Sequence, residues 1–188
     1  KRQCYEEGKK KLLAQGYHEI GMDHFALESD GMYQSFQAGT LHRNFMGYTA
    51  SKTQVMIGLG ISSISDSWYS FAQNEKKLED YYARLENNEL PVYRGHILSA
   101  EDLMIRRHIL NLMCSFQTSW TEPDMQFPEL AEVLGQLEEM RDDGLLEIGP
   151  QSLRVTEQGK AFVRNICMAF DLHLKRRRPE SRIFSMTI

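Results

Sequence analysis

Apolar and polar positions alternate irregularly over the first half of this chain and settle into a helical period over the second. Residues 5–15 are charged and helix-favouring, Gly16 supplies a C-terminal stop, and 17–22 reads as a strand. Ser29 and Asp30 offer caps for a helix bearing Met32, Tyr33 and Phe36 that closes near Gly39. Residues 43–48 and 54–61 read as strands in a hairpin-like arrangement around Ser51-Lys52, and 67–72 as another short strand. Asn74 is placed to cap a helix running to about Asn88. Pro91 breaks the chain, and 92–98 is extended.

From Ser99 the period is that of a helix. Ser99 with Asp102 three residues on approximates a capping box, and Ile105, Ile109, Leu112 and Phe116 share one stripe. Glu122-Pro123-Asp124 interrupts. Leu130, Val133, Leu134, Leu137 and Met140 then stripe a second helix that Gly144 ends. Residues 145–148 and 153–155 flank Gly149-Pro150 as a β-hairpin. Thr156 caps a last helix whose apolar face carries Phe162, Val163, Ile166, Cys167 and Phe170. The class predicted is α+β, mainly helical, with short β segments followed by a helical C-terminal domain that includes a winged-helix-like hairpin.

Composition narrows the function classes. With 188 residues, 41% hydrophobic and 26% charged, the chain has enough apolar content for one domain or two small ones. No apolar run approaches the ~20 residues that span a bilayer, and no signal-peptide pattern opens the chain. A start at Lys1 rather than Met, directly in a helical pattern, fits an excised piece of a longer protein. The net charge of −4 argues against nucleic-acid and anionic-membrane partners. A winged-helix order would suggest DNA, but the candidate reading helix carries Glu129, Glu132, Glu138, Glu139, Asp142 and Asp143 against Arg141 alone. The basic run Lys175-Arg176-Arg177-Arg178 reads as the solvated end of a helix, where cations suit the dipole. Cys4, Cys114 and Cys167 are odd in number and far apart, which argues against a disulfide framework and against a local zinc or iron–sulfur motif. A reducing cytoplasm is expected. Cys114 and Cys167, at helical spacing among apolar residues, read as core. No residue is assigned as catalytic or as a metal ligand.

Candidate chemistry concentrates in three segments: Ile-Gly-Met-Asp-His-Phe-Ala at 20–26, Leu-His-Arg-Asn-Phe-Met-Gly-Tyr-Thr at 41–49, and Ile-Gly-Leu-Gly-Ile-Ser-Ser-Ile-Ser at 57–65. Asp23-His24 at a strand end has the chemistry to handle a proton, although a capping Asp beside a hydrogen-bonded His is the more ordinary reading. Gly58-x-Gly60-x-x-Ser63 superficially matches a dinucleotide loop but lacks the βαβ context. Close backbone approach to a small ligand is the other use of such glycines.

These segments are joined by Tyr-Ser-Phe-Ala-Gln-Asn at 69–74, Tyr-Arg-Gly at 93–95, Ile-Arg-Arg at 105–107 and Arg-Asn-Ile-Cys-Met at 164–168. Together they make nearly the whole chain resemble the oxygen-independent coproporphyrinogen III oxidases, radical S-adenosylmethionine (SAM) enzymes of haem biosynthesis. That family's C-x-x-x-C-x-x-C cluster motif has no match here, so the resemblance implies the C-terminal part of such an enzyme, inactive by itself. It implies three units: 1–26 as the last helix–strand unit of the partial barrel, 27–98 as an α/β connecting region contributing to the active site, and 99–188 as the helical C-terminal domain. The first unit, cut from its sheet, is expected to be poorly supported, or repaired by dimer contacts across an exposed edge.

The activity implied is conversion of coproporphyrinogen III to protoporphyrinogen IX by oxidative decarboxylation of two propionates. A [4Fe-4S] cluster held by the missing cysteines would cleave SAM to the radical that abstracts hydrogen. The partner would be the N-terminal radical SAM domain of the same protein. By the same resemblance Phe45, Met46 and Ile64 would contact a second SAM. Met46 stands where Gln is expected, and a thioether cannot donate the amide's hydrogen bonds. Four substrate carboxylates call for cations, with Arg43 the first choice and Arg106 and Arg107 weaker ones. Tyr48 and His42 fit packing against adenine or tetrapyrrole and fit core packing equally well. Two alternatives stay open: a related haem-binding chaperone, and a structural lid or dimerisation domain without chemistry.

Overall fold

The computed structural model describes residues 2–177. Helix α1 (Arg2–Ala14) leads into a hairpin of β1 (His18–Gly21) and β2 (His24–Ala26), antiparallel to each other. The strand expected at 17–22 turns back at Met22, which takes a φ of 45°, so its neighbour is supplied locally. Ile20 is fully buried. The Tyr5 hydroxyl on α1 lies 2.7 Å from Glu19 Oε1 and 3.1 Å from the Met22 carbonyl, and Lys9 pairs with Glu19 at 2.5 Å. The expectation of a poorly supported unit is therefore wrong, because hairpin pairing and three polar contacts tie the first strand down.

Helix α2 (Gly31–Gln37) is capped by Asp30, whose carboxylate accepts from the Met32 N–H. The run expected to be one strand at 43–48 is a second hairpin, β3 (His42–Asn44) and β4 (Gly47–Thr49). Asn44 Oδ1 accepts from the Met46 N–H at 2.8 Å, closing an Asx turn, and Gly47 follows at φ 129°, where a side chain is disfavoured. Only Val55–Met56 of the expected 54–61 strand is extended, as β5. It edges a four-stranded antiparallel sheet, β5-β6-β7-β8, with β6 at Ile64–Ser67, β7 at Ser70–Asn74 and β8 at Val92–Ile97.

Asn74 does not cap α3 (Leu78–Glu86), whose N-cap is Lys77. It is buried at the end of β7, with Nδ2 3.2 Å from the Gly58 carbonyl, 3.0 Å from that of Gly60 and 3.0 Å from Ser63 Oγ. A buried loop carbonyl needs a donor, and Asn74 serves two of them.

The capping box forms as read: Ser99 Oγ accepts from the Asp102 N–H, and Asp102 Oδ2 accepts from the Ser99 N–H, starting α4 (Ala100–Ser115). The expected second helix is divided into α5 (Leu130–Gln136) and α6 (Glu138–Asp142). Strands β10 (Leu146–Ile148) and β11 (Ser152–Val155) pair as expected, and an unforeseen β9 (Gln117–Ser119) adds to β11. Thr156 Oγ1 accepts from the Gly159 N–H at 3.1 Å, opening a 3-10 turn (Gly159–Phe162) that runs into α7 (Val163–Ala169) and α8 (Leu172–Arg177). Leu112, Val133, Leu137, Leu146, Leu153, Val163, Ile166 and Phe170 pack the C-terminal core, none more than 2% exposed. Among the described residues no helix is long and apolar enough to cross a membrane.

Two residues of the basic run, Lys175 and the exposed Arg176, are paired with acids rather than standing free in solvent. Arg176 pairs with Glu101 at 2.6 Å and with Glu129 at 2.7 Å, and Lys175 with Glu132 at 2.5 Å. Part of the acid on α5 and its N-cap is thus matched by base on α8. The side chain of Arg177, and Arg178 altogether, lie outside what the structure describes.

The core also holds a histidine. His108 is fully buried, with Nδ1 2.8 Å from Thr118 Oγ1, Nε2 2.9 Å from the Met125 carbonyl, and its ring stacked on Phe170 at 5.3 Å. A neutral imidazole satisfies both contacts: Nε2–H donates to the carbonyl and Nδ1 accepts from the hydroxyl. Burial lowers its pKa below the ordinary histidine value. The unfolded chain therefore takes up a proton first, and stability contributed here is whole above pH ~6.5 and lost as pH falls below it. Urea midpoints measured from pH 7 down to pH 5 are expected to fall, with a slope of up to about 1.4 kcal/mol per pH unit from this group. In His108→Gln that part of the slope disappears; an unchanged slope would contradict a neutral buried imidazole.

Candidate functional site

The two small hairpins are stitched to α4 through Tyr48. A Cβ on Gly21 would lie 2.4 Å from Tyr48 Oη, so only glycine lets the β1 backbone meet that ring. The Tyr48 hydroxyl donates to the Met113 carbonyl at 2.8 Å, and burial raises its pKa above the usual phenol value. Directly opposite on β3, the guanidinium of Arg43 lies over the Tyr48 ring at 4.6 Å. Arg43 Nη1 is buried and has no hydrogen-bond partner. Buried polar groups are nearly always bonded, so an orphaned charged donor marks a place where a partner is wanted.

Arg43 lines an open cleft of about 610 Å³ whose apolar wall includes Phe71, Ile105, Ile109 and Met113 and whose lining also includes Arg164. A second cleft of about 410 Å³ shares Phe45, Phe71, His96 and His173 with the first and adds Ile64 and Arg94. Phe45 meets Phe71 edge-on at 4.9 Å. Arg94 Nε donates to Gln73 Oε1 at 3.0 Å in its wall.

The structure distributes the sequence-read residues unevenly. Phe45 and Ile64 share the second cleft. Met46, at the hairpin tip, is 84% exposed and not among the residues lining either cleft, and its N–H is taken by Asn44. Arg43 lines the first cleft, and its Nη1, itself buried, has no hydrogen-bond partner. Arg106 is already engaged: Nη2 donates to Asp66 Oδ1 at 2.8 Å, Nη1 to the Ser67 carbonyl at 3.0 Å, and the guanidinium packs 4.9 Å from both Trp68 and Phe71. It braces α4 against the four-stranded sheet. Arg107 makes a surface pair with Asp124. Truncating Arg106 to Ala is expected to destabilise the protein by about 3–5 kcal/mol, because Asp66 is left buried and unpaired. Arg107→Ala is expected to cost less than about 1 kcal/mol. Equal urea midpoints for the two variants would contradict the brace.

The glycine loop turns out to approach its own chain rather than open space. A Cβ on Gly58 would lie 2.8 Å from the Ile64 carbonyl oxygen, and Ser63 Oγ donates to the Gly60 carbonyl at 2.7 Å. Asp23 and His24, 3.0 Å apart on the first hairpin, border neither cleft, and His24 packs edge-on to Tyr48 at 5.0 Å. His42 is buried, which depresses its pKa, with Lys52 and Arg106 adding to the effect. Arg94 and Arg164 were quoted only within motifs and not assigned a role. The signal that would have found them is charge placed on an apolar wall, which needs the fold.

The cysteines do not suit an iron–sulfur cluster. Cys4 is exposed on α1, Cys114 is on α4 and Cys167 on α7. Burial pushes the Cys114 thiol up to about 11 and the Cys167 thiol up to about 12, as for core cysteines.

Comparison with known proteins places this geometry. The family model of the HemN C-terminal domain matches residues 98–162. Nearly the whole chain is related to the C-terminal portion of the oxygen-independent coproporphyrinogen III oxidases. It is 36% identical over 171 residues to that enzyme of Escherichia coli strain K12, across 88% of the chain and 37% of the enzyme. It is 37% identical over 185 residues to that of Thermostichus vulcanus, across 95% of the chain and 56% of the relative. The solved structure of coproporphyrinogen III oxidase (HemN) from Escherichia coli, described as a radical SAM enzyme, superposes with a TM-score of 0.83 at 35% identity, over 90% of this chain and 40% of that one. The chain thus spans between about a third and just over half of these relatives' lengths. Within it, the HemN C-terminal segment supplies the α4 wall of the first cleft, while Arg43, Phe45 and Ile64 precede the segment and Arg164 follows it.

Proposed function

We propose that this chain is the C-terminal portion of an oxygen-independent coproporphyrinogen III oxidase, forming part of the wall against which the substrate and a second SAM are held. One observation carries the reading: a buried, unpartnered guanidinium nitrogen on Arg43 at the edge of an apolar cleft. A tetrapyrrole edged with carboxylates is matched by an apolar wall with a cation at its rim. Arg43 takes one propionate carboxylate, and its packing on Tyr48 fixes the direction of the fork. Phe45 and Ile64 offer the apolar contacts for the second SAM, and Arg94 beside them offers charge complementary to its carboxylate. Met46 is outside that contact set, so the missing Gln leaves this cleft unchanged.

The [4Fe-4S] cluster, whose role when bound is to supply the electron that cleaves SAM, belongs to the N-terminal radical SAM domain, since these three cysteines do not suit it. Residues 1–26 are read as the end of the partial barrel, 27–98 as the connecting region, and 99–188 as the helical domain. Within the last, the order helix, strand, two helices and hairpin is that of a winged helix used structurally. We place the rest of the polypeptide against β5, its following loop and β8, where Val55, Ile57, Leu59, Tyr93 and Ile97 are exposed. The setting proposed is the cytoplasm, without nucleic-acid or membrane partners.

The test is a fluorescence titration of the chain with coproporphyrin III, the stable oxidised form of the substrate. Saturable binding is expected, weakened about tenfold or more in Arg43→Ala. Binding that the variant leaves unchanged, or equal binding of a porphyrin without carboxylates, would overturn the assignment of Arg43.

A further inference from the structure

Where the two clefts meet, β8, α4 and α8 bring together His96, Asp102 and His173. His173 Nε2 lies 2.6 Å from Asp102 Oδ1, and His96 Nε2 lies 3.3 Å from Asp102 Oδ2. The three donor atoms are all within 4.8 Å of one another, the one such group among the described residues. The two imidazoles are packed edge-on, ring centroids 5.8 Å apart, and both border both clefts. Asp102 is held from behind: its Oδ2 accepts from the Ser99 N–H at 2.8 Å and from Ser99 Oγ at 2.9 Å. Carboxylates that ligate metals are oriented by such outer hydrogen bonds.

We propose that His96, Asp102 and His173 form a site for a divalent cation of the zinc type, with a fourth position open to the clefts and suited to a carboxylate oxygen. Two imidazoles and one carboxylate are the donor set that zinc accepts, and three protein ligands plus an open position is the arrangement of its catalytic rather than structural sites. Tetrahedral coordination at zinc's bond lengths separates donors by roughly 3.4 Å, so the side chains need only small rotations from their present spacing. Without metal, each Nε2 faces a carboxylate oxygen. For metal to bind at Nε2, each neutral ring shifts its proton from Nε2 to Nδ1 through solvent, which frees the Nε2 lone pair. The site depends on nothing assumed about radical chemistry. If the cleft holds a polycarboxylate, as the proposed function has it, the cation adds an anchor in the cleft that Arg43 also lines.

The test uses chelator-treated chain titrated with Zn²⁺ alone by calorimetry and with Co²⁺ alone by visible absorption. One equivalent is expected to bind, with His96→Ala and His173→Ala each weakening affinity at least about tenfold. His18→Ala, which alters only an exposed pair with Glu28 and a ring contact, serves as the control and is expected to bind as wild type. His96 and His173 are about half exposed, so both variants should melt like wild type without metal. Propionate is expected to shift the cobalt band. Absence of binding, or binding that neither histidine variant weakens, overturns the site, and a band indifferent to propionate overturns its open position.

Discussion

On the proposed function, replacing Arg43 with Ala in the full-length protein is expected to lower kcat/KM for coproporphyrinogen III by about 10–100-fold, the range for losing a hydrogen-bonded charge at a buried site. The reason is local. Arg43 is the cleft cation with a buried nitrogen unspoken for, whereas Arg106 spends its donors on Asp66 and the Ser67 carbonyl. Arg43→Lys keeps the charge but loses the planar fork stacked on Tyr48, and is expected to recover activity only in part. Lys52→Ala removes a cation that lies over Trp68, and is expected to change kcat/KM by no more than about twofold. Anaerobic kinetics on the three variants with matched melting curves check this. Identical kinetics for Arg43→Ala and Lys52→Ala would remove Arg43 from substrate binding.

The largest loss of stability is expected from Gly159→Ala. A Cβ there would sit 1.8 Å from the Leu145 carbonyl oxygen and 3.0 Å from Val155 Cγ1. Neither neighbour can retreat cheaply, because the same carbonyl accepts from the Thr156 N–H at 3.0 Å and Val155 belongs to β11. The 3-10 turn feeding α7 must then unwind from the hairpin, taking Val163 and Ile166 out of the core. A cost above about 4 kcal/mol follows, in the class of the most damaging single substitutions. Gly135→Ala is the contrast: nothing lies within 4 Å of its Cβ, it is within α5, and alanine there is expected to stabilise by about 0.5–1 kcal/mol. Urea unfolding of both variants reads the difference, and similar midpoints would show that the Leu145 contact relaxes.

What the sequence makes legible here follows from range. The capping box at Ser99, the stripe of Ile105 and Leu112, and the hairpin around Gly149-Pro150 depend on neighbours a few residues away, and each forms. Hairpins were misread where a strand pattern concealed its own turn: Asn44 and Gly47 bracket the Phe45-Met46 tip, and the alternation through 43–48 hid it. Asn74 looks like a cap because caps are local, yet its amide serves carbonyls 14 and 16 residues away. The acid on α5 and its N-cap read only as an argument against DNA, and the base on α8 as a solvated helix end; they meet across 43 and 47 residues, a pairing no window along the chain can see. The same limit governs the site. Residues 41–49 marked Arg43 as a candidate, but distinguishing it from Arg106 required knowing that Asp66 faces one and nothing bonds Nη1 of the other. His96 and His173, 77 positions apart, were invisible as a pair.

The decisive measurement is an anaerobic assay with SAM and reductant, in which carbon dioxide and oxidised porphyrin product are followed for the full-length polypeptide and for the 188-residue chain side by side. The full-length protein is expected to release two carbon dioxides per coproporphyrinogen III and the chain none, because the proposed function gives the chain a pocket wall and the N-terminal domain the cluster cysteines. Turnover by the chain alone, or a full-length protein that leaves coproporphyrinogen III untouched, would contradict that division of labour.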